Sequence, residues 1–136
     1  YLVSLLGARR FAAADRLMTR LARLAEEPAT HQGRVAAAVG ADLAATLRDL
    51  ALGRSGGIDR MRGKLGRIVR LGGSHSQRDL FLRTLLQAAA RAGRVDAVSE
   101  IHAVRRRMKA DDGFLEAALD ALADSLSVRE SASATV

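Results

Sequence analysis

Ser74 beside His75 is the pairing in this chain that comes nearest to a nucleophile with its base. Neighbours in sequence do not face one another at a helix start, and no strand with a G-x-S-x-G elbow leads into them. The pair therefore reads as a helix-capping serine next to a surface histidine. Gly72-Gly73, just upstream, suits a phosphate held at a helix N-terminus, with Arg70 and Arg78 to assist. It lacks the longer loop and the Lys-Ser/Thr of a phosphate cradle. His31, His75 and His102 lie far apart without H-x-x-x-H spacing, so no metal site is expected. The acids fall mostly on polar faces and offer no convergent pair for proton transfer. The reading is of a chain that is not an enzyme, with no catalytic, metal-binding or cofactor-binding residue.

Positive charge is the other chemical resource. Twenty Arg and two Lys stand against fifteen acids, a net charge of +7. A chain rich in Ala and Arg and poor in Lys also follows from GC-rich codon usage, and net charge speaks to solubility and association rather than to fold. The charge is unevenly spread. Residues 1–53 carry seven bases and five acids, 54–109 fourteen bases and four acids, and 110–136 one base and six acids. Arg60, Lys64 and Arg67 share one face of an expected helix, and Arg105-Arg106-Arg107 with Lys109 follow later. Such groups can track phosphates, so Arg60, Lys64 and Arg67 form the candidate partner-binding set, with nucleic acid as one possible partner. No aromatic residues interleave them to stack bases, and no recognition helix is evident. Asp112, Glu116, Asp120 and Asp124 fall four apart. This acidic stripe reads as a solvated face or as a shield over the basic helix.

The elements that must position these side chains are helices. Twenty-seven Ala and few β-branched or aromatic residues favour helix over strand. Phe11, Ala14, Met18, Leu21 and Ala25 line one helix face, which Pro28 stops. Val35, Val39, Leu43, Leu47 and Leu50 line the next, ending at Gly53, with Asp42 and Asp49 off that line and facing water. Ile58, Met61, Leu65, Ile68 and Val69 mark a shorter helix ending at Gly72-Gly73, with Gly63 and Gly66 inside it, each at a cost of about 1 kcal/mol against Ala. Ser74-x-x-Gln77 and Ser76-x-x-Asp79 are rival capping frames for the helix that follows. Its apolar face is Leu80/Phe81, Leu85, Ala88/Ala89 and Ala92, and Gly93 ends it. Val95, Val98, Ile101, Val104 and Met108 mark another helix, broken at Asp111-Asp112-Gly113; Leu115, Leu119, Leu122 and Leu126 mark the last. Residues 127–136 form a frayed tail.

Leu6-Gly7, Leu52-Gly53 and Ala92-Gly93 each close one apolar helix and open another, forty-six and forty residues apart. That is the helix–turn–helix logic of α-solenoids, at a period longer than the roughly 34 residues of a regular tetratricopeptide repeat. The segment Gly72, Gly73, Ser74, Gln77, Arg78 and Asp79, with Leu85-Leu86 and Ala92-Gly93-Arg94 downstream, resembles the C-terminal part of the tetratricopeptide repeat protein 38 family. Members of that family carry a G-G-S-x-x-Q-R-D segment opening an apolar helix. The resemblance implies an α-α superhelix and a protein-interaction role, and implies no catalytic residues. The run from Arg60 to Arg67 departs from it in being more basic and richer in glycine.

The expectation is thus an all-α, tetratricopeptide-like array of antiparallel helix pairs with about six or seven helices. Residues 1–126 would form one domain, the C-terminal part of a larger solenoid. The expected role is a non-catalytic scaffold for a protein or peptide. The alternatives are a nucleic-acid module built on 54–109, or an accessory domain of an enzyme whose chemistry lies upstream of Tyr1. No apolar run approaches the roughly 18 residues of a membrane span. The absence of Cys fits a reducing, cytoplasmic compartment.

Overall fold

The computed structural model describes residues 1–108, 113, 117–120 and 122–124, and no strand occurs among them. The regular structure of the described residues is all helical, as the composition predicts. It gathers into two compact units, Tyr1–Gly72 and a second that begins at Gly73.

The first unit holds α1 (Leu2–Gly7), α2 (Phe11–Ala25), α3 (His31–Val35), α4 (Ala41–Ala51) and α5 (Gly57–Met61). A π-helical turn, Ala36–Gly40, joins α3 to α4 without a break, and a 3₁₀ segment, Leu65–Leu71, closes the unit. The core is aliphatic: Leu5, Leu6, Ala14, Val39, Leu43, Leu47, Ile58, Met61, Leu65 and Ile68 are buried. The π turn is absent from the sequence pattern, because Ala36-Ala37-Ala38 suits an α-helix equally well. Its effect is local. Ala36 takes the buried position while Val35 is only half-buried.

Two glycines let backbones approach closely. The Thr30 hydroxyl accepts the Gly33 N–H at 2.9 Å and caps α3. A Cβ at Gly33 would overlap the Glu27 carbonyl in the turn leaving α2. Gly57 lies where a Cβ would stand 3.2 Å from the Thr46 Cα. There the fully buried Thr46 hydroxyl donates to the Gly57 carbonyl at 2.9 Å, joining α4 to α5.

The expected helix through Ile58 and Val69 is in fact two pieces. Arg62 leaves α5 with extended ψ and Gly63 adopts φ +71°, so α5 stops and the chain re-enters as a 3₁₀ segment. Ile58, Met61, Leu65 and Ile68 still reach the core, whereas Val69 is exposed. The anticipated single face for Arg60, Lys64 and Arg67 therefore does not exist. Arg60 lies on α5, Lys64 in the turn and Arg67 on the 3₁₀ segment.

The second unit contains α6 (His75–Arg91) and α7 (Val95–Met108). Gly72 and Gly73 both take positive φ, +70° and +74°, a backbone conformation that only glycine adopts without strain. Ser74 is the cap: its hydroxyl accepts the Gln77 N–H at 3.2 Å, and the Gln77 side chain accepts the Ser74 N–H at 2.9 Å. The buried line on α6 is Asp79, Leu82, Leu85, Leu86, Ala89 and Ala90. It is turned by about one residue from the anticipated face, and Leu80 is 48% exposed. Likewise α7 buries Ala97, Val98, Ile101 and Arg105, leaving Val95 exposed. Residues 117–120 and 122–124 are helical, with Leu122 buried and Leu119 exposed. Asp111, Asp112, Leu115, Glu116, Leu126 and the expected tail 127–136 lie outside the described residues.

The faint repeat is realised as one turn geometry used three times. Arg10 N–H bonds the Leu5 carbonyl and Arg9 N–H the Leu6 carbonyl; Arg54 and Gly53 do the same to Asp49 and Leu50; Arg94 and Gly93 to Ala89 and Ala90. Each is a Schellman closure with its left-handed residue at Arg9 (φ +55°), Gly53 or Gly93. Arg9, and not Gly7, holds that position in the first turn, because Gly7 still belongs to α1.

Candidate functional site

Every residue of the Gly72–Asp79 motif has an architectural task. The glycines supply two left-handed backbone positions ahead of α6, Ser74 and Gln77 cap α6, and the Arg78 guanidinium donates to the Gly73 carbonyl at 2.6 Å. Asp79 receives a bidentate bond from Arg105, at 2.7 Å from Nε and 3.2 Å from Nη2. Asp79 is near the start of α6 and Arg105 near the end of α7, so the two helices run antiparallel across the Ala92-Gly93-Arg94 turn. His75 is exposed, beside the cap and not opposed to it. Capping engages the Ser74 and Gln77 N–H groups that an anion at this helix start would use. No cluster of metal-ligating side chains occurs among the described residues.

The candidate set fares differently at each member. Arg60 donates to Asp49 at 3.0 Å, and Lys64 to Asp42. The two acids expected to face water are thus the partners of two of the three bases expected to bind a ligand. Arg67 is exposed. Arg105, counted with the later basic run, is buried against Asp79 at 2% exposure, whereas Arg106 and Arg107 are exposed. Of the acidic stripe, Asp120 and Asp124 are exposed, and Asp112, Glu116 and the base Lys109 lie outside the described residues.

With α4 acids committed to bases from downstream, unbalanced charge accumulates elsewhere. Arg48 on α4 reaches back to α2, where its guanidinium bonds the Asp15 carboxylate, with Nη2 to Oδ2 at 3.0 Å, and stacks 5.7 Å from the Phe11 ring centroid. The Arg48 hydrogen bond holds the Asp15 carboxyl below its ordinary range against a smaller opposing desolvation, and correspondingly raises the Arg48 guanidinium. This clamp fixes the inner side of α2 and uses up its one Asp.

The outer side of α2 carries Arg16, Arg20 and Arg23. All three are exposed, and none has a hydrogen-bond or ion-pair partner among the described residues. At about 100° per residue they fall within a wedge of about 60°, opposite buried Ala14. Their axial spacings are about 6 and 4.5 Å. Together with Thr19, Leu24 and Glu27 they line an open groove of about 560 Å³. All six lining residues lie on α2 or the turn leaving it, so the walls are side chains over a single helix.

Sequence reasoning passed over this stripe because residues 1–53 sum to little net charge. The signal was present: Arg16, Arg20 and Arg23 recur at helical spacing on the side away from Phe11, Ala14 and Met18.

No family model, curated protein or solved structure matches the chain. Among the described residues no helix is long and apolar enough to cross a membrane.

Proposed function

We propose that this chain is a non-catalytic, tetratricopeptide-like interaction module, a stretch of α-α superhelix that binds a protein or peptide segment in a reducing, cytoplasmic setting. The antiparallel α6/α7 hairpin and the recurring Schellman turns support the repeat reading, since helix pairs joined in this way are the units of solenoids. The absence of Cys supports the compartment. The observation that carries the reading is the groove on α2, where arginines with no partner among the described residues flank a half-buried Leu24. The competing reading, a nucleic-acid module on 54–109, loses support at three of its bases, because Arg60, Lys64 and Arg105 are already paired to acids.

A photo-crosslinking residue placed at Thr19, and separately at exposed Arg91 on α6 as a control, tests the reading in cells. The expected result is a discrete protein adduct from position 19 that is absent from position 91. Nucleic-acid adducts, or the same adducts from both positions, would refute it.

A further inference from the structure

We infer that the α2 groove is a docking site for an acidic amphipathic segment of a partner protein, its carboxylates meeting Arg16, Arg20 and Arg23 and an apolar side chain resting on Leu24. This rests on the protein-binding reading above and adds the chemistry of the partner. Charge complementarity is the first reason. Three exposed guanidiniums stand in one row without partners among the described residues, and guanidinium forks are matched by carboxylates. The second reason is spacing. Positions 16, 20 and 23 repeat as i, i+4 and i+7, the interval at which a partner helix or turn presents successive side chains.

The third reason concerns what the groove disfavours. Glu27 lines the groove just past the C-terminus of α2, where the negative end of the helix macrodipole also lies. A uniformly anionic polymer meets repulsion at that end, whereas a peptide can place a neutral or basic residue there. No aromatic side chain lines the groove, so bases have nothing to stack on. Leu24 supplies instead an apolar contact suited to a side chain such as leucine.

The test uses the whole chain and fluorescence anisotropy with three labelled probes: a short peptide mixing glutamate with leucine, the same peptide with glutamine for each glutamate, and a DNA duplex. Two charge-matched double variants are compared, R20A/R23A in the groove and R60A/K64A outside it, each checked for helicity by circular dichroism. The expected result is binding of the glutamate peptide that weakens with added salt. It should fall about tenfold in R20A/R23A and less than about twofold in R60A/K64A. No binding of the glutamate peptide, equal binding of the glutamine peptide, or equal loss in both variants overturns the acidic-partner proposal. If the glutamine peptide alone binds, the protein-binding reading survives. If the duplex binds more tightly than any peptide through Arg20 and Arg23, both fall.

Discussion

Replacing Asp79 by Ala removes the bidentate partner of a guanidinium that is only 2% exposed. Arginine cannot shed its proton to escape burial, so the charge stays and loses the bidentate carboxylate that offsets its desolvation. Breaking a buried pair by removing one member costs about 3–5 kcal/mol, against about 0–1 kcal/mol for an exposed pair. Asp79 is itself 7% exposed, which places the pair in the first class. For a domain of 60–100 residues each kcal/mol lowers Tm by about 4–8 °C, so a loss of at least about 12 °C is expected in the second unit. The double change D79L/R105M removes both charges and is expected near wild-type stability, since apolar replacements of buried pairs are often neutral or stabilising. Urea denaturation followed by circular dichroism supplies the double-mutant cycle, and amide exchange of α6 and α7 assigns the effect to this unit. A cost for D79A below about 1 kcal/mol, or a double variant as unstable as the sum of its singles, refutes the reasoning.

Other substitutions probe other links. Gly33→Ala gains helix propensity but drives a methyl into the Glu27 carbonyl, so a net loss of about 1–3 kcal/mol is expected in denaturant titrations. Arg9→Gly relieves a left-handed arginine at φ +55° and should stabilise the first unit by about 0.5–1 kcal/mol, whereas Gly93→Ala should cost about 1–2 kcal/mol at the equivalent turn of the second. The Asp15 carboxyl titrates below its unfolded value, so its contribution to stability is present above the unfolded pKa of about 3.9 and is lost as pH falls through the lower folded value. Melting curves across that acid range should flatten in Asp15→Asn; an unchanged acid limb refutes the clamp between α2 and Arg48.

Much of the fold was legible because it depends on local signals. Ser74 with Gln77 names a helix start, as the side-chain oxygens answer backbone donors within one turn. Gly53 and Gly93 name helix ends because only glycine takes positive φ without strain. The failures share the opposite property. Arg9 was missed since a neighbouring glycine, Gly7, offered the cheaper reading. The turn of the α6 face was missed because a charged residue, Asp79, is assigned to solvent until a partner from α7 is known. Arg60, Lys64 and Arg67 share one face only in a continuous helix, and the left-handed Gly63 breaks it.

The amino-acid order alone settled that the chain is helical, where several of its helices begin and end, and that it carries a surplus of positive charge, because caps, breakers and composition act over a few residues. Where the surplus is exposed was decided by packing. Asp42 and Asp49 on α4 bind Lys64 and Arg60 from beyond the next turn, Asp15 binds Arg48, and Asp79 buries Arg105, while Arg16, Arg20 and Arg23 on α2 have no partner among the described residues. Ion pairs form between residues close in space, and distance along the chain does not set them.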